Sequence, residues 1–355
     1  MRTSTVYSLS LLFIACALTG NAFGQNDLNL PDVSQAATIK QRIALTDVTI
    51  NYHRPLVNGR KIWGGLVPYG QVWRAGANEN TTVELSDDVK IEGQALPKGL
   101  YGLHMIPTAD SWTVIFSKTN TGWGSYSYKQ DEDALRVTVK PHPLSENEEA
   151  LEFEFENLKA NSADATLKWE KMAVPFKIEV SDQTTLANIE AQLKGRGQFT
   201  WQALDEGATF CLTHNLNLEE GLKWADASIQ NEERFDNLST KVDLLKAMHK
   251  DAEAKTTWDM AVQKATPTQL YSYGRRQQFA KKADEGIAIM KEVAKRWPQD
   301  VYGLLAQARV KSAAGDFAGA AAAAKQAQST SKVDAQKTAL QPLIDRLEAK
   351  QDINK

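Results

Sequence analysis

The sequence predicts two successive domains, an antiparallel β domain over residues 38–180 and an α-helical, repeat-like region over residues 184–348. One observation behind this prediction is the length of 355 residues, which exceeds the size at which chains usually keep a single hydrophobic core. Another is the change of the hydrophobic period from alternation to helical spacing after Val180. The third is a set of similar segments that recur in the second half of the chain.

Short runs of alternating apolar and polar residues predict the strands of the first domain. Apolar side chains occupy every second position in Val48–Tyr52, Leu151–Phe155 and Val174–Val180, as expected of strands with one face in a core and one in water. Turn residues such as Pro97–Gly99 separate the runs. Many short strands without intervening helices favour an antiparallel sandwich or barrel.

Four similar segments predict a helical repeat in the second domain. They begin at Leu218, Ala252, Ala283 and Phe317. Their starts therefore lie 34, 31 and 34 residues apart, which is close to the period of the tetratricopeptide repeat and indicates stacked helical hairpins. A non-repetitive helical bundle is the alternative. We expect Thr184 or Thr185 to cap the first helix.

The N-terminal segment has the layout of a secretory signal peptide over residues 1–24. A basic residue precedes the apolar run Val6–Leu18, and small residues lead to Gly24. Residues 25–37 are polar and predict a linker. The alternative is a lipoprotein anchored at Cys16. We therefore expect an exported protein, periplasmic or secreted, with no transmembrane span in the mature chain.

Composition argues against several classes of function. Basic and acidic residues number 41 and 44, for a net charge of −3, which gives no general attraction to nucleic acid. After removal of residues 1–24, Cys211 is the one cysteine left, and its apolar helical surroundings predict a buried side chain rather than a nucleophile. The histidines lack metal-protease spacing, and we expect neither a metal nor a cofactor. Residues 349–355 are predicted to form a tail.

The segment from Arg54 to Glu79 combines arginines, aromatic rings and an amide within a loop that glycine and proline punctuate. Arginine offers planar donors and aromatic rings offer stacking surface, which suits a sugar, carboxylate or peptide pocket. The candidate binding residues are Arg54, Arg60, Arg74, Asn78, Glu79, His104, Trp123 and Tyr126. The structural alternative is that the tryptophans, Trp123 included, form core and that Arg74 and Asn78 satisfy loop backbone.

The first domain also resembles a known family. The motifs that carry the resemblance are Tyr52–Pro55, Gly59–Ile62, Leu66–Gly70, Val72–Asn78, Leu96–Tyr101, Trp112–Phe116, Trp123–Tyr126 and Trp169–Met172. In this order they resemble the DUF2911 family, which has no assigned function. The resemblance implies an exported protein of Bacteroidetes-type bacteria with a β domain, and it supplies no reaction.

Together these observations predict an exported binding or interaction protein of the cell envelope rather than an enzyme. We expect the β domain to bind a glycan, peptide or small ligand, and the helical region to hold a protein partner or a second copy of the chain. One alternative is a hydrolase of envelope or imported polymer, with Glu79 or Asp131 as the acid/base and Arg74 as electrostatic support. Another alternative is a purely structural module.

Overall fold

The structure is a computed structural model that describes residues 31–354. The predicted signal peptide over residues 1–24 lies outside the described residues. The first part of the described chain contains ten β-strands: β1 (Gln35–Ile43), β2 (Thr46–Arg54), β3 (Thr82–Leu85), β4 (Val89–Ile91), β5 (Gln94–Leu96), β6 (Gly99–Pro107), β7 (Trp112–Ser117), β8 (Asp133–Val139), β9 (His142–Lys159) and β10 (Ser162–Glu179). β1 begins inside the predicted linker 25–37, because Gln35–Ala37 continue the ladder with the end of β2.

The strands form two antiparallel sheets that pack as a sandwich. One sheet has the order β1-β2-β3-β6-β7-β8 and the other β5-β4-β10-β9. Rings of the two sheets meet in the core between them, as in the pairs Tyr52–Phe153 and Phe116–Phe176, with centroids 5.0 and 5.8 Å apart. Residues 31–354 therefore show the predicted antiparallel β domain, with two sheets and no closed barrel among them.

A cluster of tryptophans fills one part of this core. Trp63 lies against Trp112 and Trp169, with ring centroids 4.8 and 5.7 Å apart. Trp73 stacks on Trp169 at 5.9 Å. Trp63 and Trp73 come from the long connection between β2 and β3, so this connection is anchored by aromatic burial.

Within the described residues, ten α-helices follow the sandwich: α1 (Asp182–Leu193), α2 (Trp201–His214), α3 (Leu218–Asn231), α4 (Phe235–Ala247), α5 (Asp251–Lys264), α6 (Pro267–Phe279), α7 (Ala283–Arg296), α8 (Val301–Ala313), α9 (Phe317–Thr330) and α10 (Asp334–Glu348). The pairs α2–α3, α4–α5, α6–α7 and α8–α9 pack as hairpins. The first helices begin at residues 201, 235, 267 and 301 and α10 at 334, so the period is 32 to 34 residues. The predicted repeat is confirmed, and its four similar segments are the second helices of the hairpins.

Small residues allow the helices of a hairpin to approach closely. A Cβ at Gly221 of α3 would lie 2.7 Å from the Cβ of Cys211 on α2. Cys211 is fully buried there, and burial raises the pKa of its thiol to about 11. The thiol is therefore part of the helical core, as its apolar surroundings predicted.

The first helix begins earlier than the sequence suggested. Ser181, rather than Thr184 or Thr185, caps α1, and its hydroxyl accepts a hydrogen bond from the Thr184 amide at 3.0 Å. The Thr184 hydroxyl instead donates to the carbonyl oxygen of Asp88, and Asn188 donates to the Asp87 carboxylate at 2.9 Å. These bonds tie α1 to the turn between β3 and β4.

The end of the described chain returns to the helices. α10 ends at Glu348, but Ile353, in the segment predicted as a tail, is only 3% exposed. The predicted tail is thus a packed segment as far as residue 354. No helix within residues 31–354 is long and apolar enough to cross a membrane.

Candidate functional site

The candidate site lies where the connection between β2 and β3 meets β6. Trp73 and Met105 form an antiparallel bridge, with N···O distances of 2.8 and 2.7 Å between their main chains. Met105 is fully buried in the core. Because successive side chains point to opposite faces of a sheet, Arg74 and His104 lie on the other face. The loop of residues 118–129, between β7 and the 3₁₀ turn Gln130–Glu132, lies beside them.

Arg74 is the polar centre of this face. Its guanidinium lies over the ring of Trp123, 5.5 Å from the ring centroid. Its Nε is buried and has no hydrogen-bond partner within the described residues. Burial lowers the pKa of the guanidinium, while Tyr126 and Glu79 act in the opposite direction. Arg74 is therefore a partly desolvated cation that the described chain leaves without an acceptor at Nε.

Gly124 allows the loop to approach Arg74. A Cβ at this position would lie 3.0 Å from the Arg74 Nη1 and 3.0 Å from the Tyr126 ring. The φ angle of +69° is also one that glycine adopts without steric cost. Gly124 did not appear among the predicted site residues, although it stands between the two predicted aromatic residues.

Trp123 and Tyr126 present two exposed rings beside Arg74. Their exposed fractions are 59% and 85%. The ring centroids lie 6.0 Å apart and the planes differ by only 10°. The structural alternative that placed Trp123 in the core is wrong, because its ring is on the surface, at the bridge with Glu79 that precedes the turn 124–127. The pair forms an aromatic platform on the surface of the β domain, and we use this name for Trp123 and Tyr126 together.

Glu79 lies beside the aromatic platform, because its main chain forms an isolated antiparallel bridge with that of Trp123. Its carboxylate lies 3.4 Å from the Nε2 of His53, at the end of β2. Asn78 has a left-handed φ of +55°, and its amide donates to the carbonyl oxygen of Ser34 at 3.5 Å. Asn78 thus shapes the turn that presents Glu79.

Two predicted site residues, Arg54 and Arg60, use their donors within the fold. The Nε of Arg54 donates to the Leu151 carbonyl oxygen at 2.8 Å, and its Nη2 lies 2.9 Å from the Glu152 carboxylate. Arg60 donates to the carbonyl oxygens of Leu56 and Val57. These bonds hold the long connection against itself and against β9, and they distinguish both arginines from Arg74.

His104 lies beneath the loop rather than on the surface. Its side chain is 3% exposed, and its Nδ1 is 2.9 Å from the Ser125 hydroxyl. The Tyr128 ring covers it with a centroid distance of 5.2 Å. Burial lowers the pKa of His104 to about 4. A neutral His104 therefore supports the loop that carries the aromatic platform.

A second polar contact fixes the other end of the loop. The Tyr128 hydroxyl donates to the Asp133 carboxylate at 2.8 Å, and burial raises the pKa of Tyr128 to about 12. Between this contact and His104 lies a cavity of about 10 Å³, with room for one water molecule. The buried Oδ1 of Asn80, which has no partner among the described residues, belongs to a residue that lines this cavity.

Residues 31–354 contain no group of three or more His, Cys, Asp or Glu side chains that could hold a metal ion. Asp131, the other predicted acid/base, lies in the 3₁₀ turn with an exposed side chain. The site therefore consists of Arg74, Glu79 and the aromatic platform, supported from below by His104.

Comparison with known proteins gives a family match over the β domain but no activity. No curated protein matches the chain. The family match spans nearly all of the sandwich and supports the resemblance that the sequence motifs indicated. Residues 34–178 match the family described as Protein of unknown function (DUF2911).

Proposed function

We propose that the chain is an exported cell-envelope binding protein whose β domain recognises a glycan on the aromatic platform and Arg74. The helical region would hold a protein partner. The observation that supports the proposal most is the geometry of the platform, with two exposed and nearly parallel rings next to an arginine whose Nε lacks an acceptor. Export is inferred from the N-terminal pattern alone.

The chemistry of the face fits a carbohydrate. The apolar face of a sugar ring can lie against an exposed aromatic ring. Trp123 and Tyr126 are both exposed, and the Arg74 guanidinium lies over the ring of Trp123, so a sugar would use the surface of the pair that Arg74 leaves open. Arg74 supplies planar donors for hydroxyl or carboxylate oxygens, and Glu79 supplies acceptors for hydroxyl groups. A ligand oxygen at Arg74 would also remove the energetic cost of a desolvated donor without an acceptor.

The proposal is tested with the full chain and a panel of envelope glycans. A ligand that binds only the native state raises the unfolding midpoint, so thermal shift identifies it and calorimetry gives its affinity. We expect Trp123→Ala and Tyr126→Ala to weaken binding at least about tenfold, in the range for loss of an aromatic anchor. Phe199→Ala is the matched control, because Phe199 is an aromatic residue that is 75% exposed and lies outside the β domain.

Two outcomes would overturn the glycan assignment. If peptides bind at the platform while glycans do not, the face is a peptide site. If no ligand binds, and the platform variants change only stability, the β domain is a structural module.

One contact favours the hydrolase alternative, namely the 3.4 Å approach of Glu79 to His53 beside Arg74. A hydrolase would lose turnover in Glu79→Gln while keeping its affinity for the polymer, because the amide can still form hydrogen bonds but cannot transfer a proton. A binding protein would show no turnover in either form.

Export gives a separate prediction. Mass spectrometry of the protein from its native host should find Gln25 at the N-terminus, because the small residues before it fit signal-peptide cleavage. A lipid-modified Cys16 at the N-terminus would instead show a membrane-anchored protein.

A further inference from the structure

We propose that helices α6, α8 and α10 form a peptide-binding slot, which the chain's own residues 352–354 occupy and which a partner segment of the same chemistry can take over. We call this surface the tail slot and define it by Gln278, Arg309, Ser312 and Arg346. The inference deepens the helical half of the proposed function and rests on it. It does not depend on ligand binding by the β domain.

The tail slot holds the main chain of residues 352–354 through three hydrogen bonds. Arg309 donates from Nη1 to the Ile353 carbonyl oxygen at 2.6 Å, and Arg346 donates to the Asp352 carbonyl oxygen at 2.8 Å. The Ser312 hydroxyl accepts from the Ile353 amide at 3.1 Å. Main-chain contacts of this kind give affinity that many sequences can share.

The side chains of the segment supply the specificity. Ile353 is 3% exposed and belongs to the apolar cluster that contains Ala308, Ile344 and Leu347. The Asp352 carboxylate accepts from the Ser312 hydroxyl at 2.8 Å. The Asn354 amide donates to the Arg309 carbonyl oxygen, and its own oxygen accepts from Gln278 at 3.0 Å. The slot therefore selects a carboxylate, an aliphatic residue and an amide in succession.

The charge of the surface favours a segment with an acidic residue at the position of Asp352. Arg275 on α6, Arg309 on α8 and Arg346 on α10 lie close enough for the last two to lower the pKa of Arg275, together with the larger effect of burial. Arg309 is 7% exposed and also donates to the Tyr271 hydroxyl at 2.7 Å. An acidic residue in the bound segment reduces the repulsion among these guanidinium groups.

The position of the slot within the repeat also indicates binding. After α10 the chain turns at Lys350, with φ of +55°, and residues 352–354 lie against the first helices of two earlier hairpins. A short turn that is neither helix nor strand thus occupies the surface as a bound peptide would.

The test compares the full chain with a chain that ends at Gln351. The probe is a fluorescent peptide of residues 349–355, and binding is followed by anisotropy. We expect saturable binding to the shortened chain and at least about tenfold weaker binding to the full chain, because the tethered segment competes at an effective concentration in the millimolar range. An Ile353→Leu peptide should bind comparably and an Ile353→Asp peptide should not, because Asp places an unpaired charge in the apolar cluster.

Variants of the protein assign the binding to the slot. Arg309→Met in the shortened chain should abolish peptide binding. Arg276→Met is the matched control on α6, since Arg276 is 61% exposed and lies near Asp243 instead. Equal peptide binding by both variants would overturn the proposal.

Circular dichroism separates a binding slot from a structural cap. The shortened chain, and a full chain with Ile353→Asp, should keep their helix content and cooperative melting. If both variants lose them, residues 352–354 are an integral part of the fold and the proposal is wrong. It is also wrong if light scattering shows that the full chain dimerises and the shortened chain does not, because the occupant would then be a second copy. Glycan binding by the same samples reports on the β domain independently.

Discussion

Arg309 of the helical region donates hydrogen bonds to the Tyr271 hydroxyl and the Ile353 carbonyl oxygen. In Arg74 of the β domain the Nε is also buried, but it has no hydrogen-bond acceptor within the described residues, and the guanidinium lies over the ring of Trp123. The two regions thus contain the same side chain with opposite hydrogen-bonding status. In the helical region, residues 352–354 supply a carbonyl acceptor to Arg309. In the β domain, the described residues supply no acceptor to the Nε of Arg74.

Arginines whose donors are bound within the fold can be distinguished from one that has a donor left for a ligand. A buried donor without an acceptor costs free energy, and a ligand oxygen at that donor would remove the cost. Arg54 and Arg60 bind backbone carbonyl oxygens and stabilise the fold. Arg74 makes no such described bond, and we therefore propose it as a donor to a ligand. Substitutions and a change of pH test this contrast.

The largest effect should come from the neighbour of Arg74. Trp73→Ala should lower the free energy of unfolding by about 3–5 kcal/mol, the range for a large aromatic lost from a core, because Trp73 stacks on Trp169. Trp123→Ala, the same substitution at an exposed position, should cost about 1 kcal/mol or less. Urea unfolding followed by circular dichroism measures both, and equal losses would contradict the assignment of the two faces.

The second effect concerns Arg309, which donates a hydrogen bond to the carbonyl oxygen of the chain's own Ile353. Arg309→Met should cost about 2–3 kcal/mol, because bonds to a charged donor are lost and the Ile353 carbonyl oxygen is left buried without its partner. Arg276→Met removes an exposed guanidinium that is paired with Asp243, and it should change stability by no more than about 1 kcal/mol. Thermal and urea unfolding of the full chain check the difference. If Arg309→Met leaves the free energy of unfolding unchanged, the contacts of residues 352–354 contribute nothing to stability.

The third effect is a pH dependence from His104. Its pKa in the folded protein, about 4, lies below the ordinary value of about 6.5. The unfolded chain therefore takes up the proton first as the pH falls, and stability is lost between about pH 6.5 and 4. At pH 5 this contribution should amount to about 2 kcal/mol relative to pH 7. His104→Gln should remove that part of the slope in urea unfolding. An unchanged slope would mean that His104 is not buried as a neutral group.

The hydrophobic pattern was sufficient to predict most of the fold. Val48, Ile50 and Tyr52 are buried on β2 as their alternation indicated. Leu218, Ala283 and Phe317 begin helices at the predicted positions, because each repeat must bury the same face against its neighbour. The cap of α1 was predicted at the wrong residue, since Ser181, Thr184 and Thr185 have similar capping chemistry and tertiary bonds to the turn before β4 decide among them.

The site was less predictable because residues far away in the sequence decide which of its side chains are buried and which are hydrogen-bonded. The sequence predicted the same binding role for Arg54 and Arg74. Arg54 instead donates to the carbonyl oxygen of a residue on β9 that lies 97 residues further along the chain. Trp63 and Trp123 both precede glycine, and only the pairing of strands and loops determines which ring is buried. Local patterns indicate which chemistry a segment carries, whereas tertiary contacts decide which groups are already satisfied.

The most direct test of the account is the stability of Arg74→Met beside that of Arg54→Met. The two substitutions remove the same group from neighbouring segments of the β domain. We predict that Arg74→Met leaves the free energy of unfolding within about 1 kcal/mol of the parent chain, because no described hydrogen bond of Nε is lost. Arg54→Met should cost about 2–3 kcal/mol through its bonds to β9. A loss of about 3–5 kcal/mol for Arg74→Met, as for a broken buried ion pair, would contradict the account and make Arg74 a structural residue.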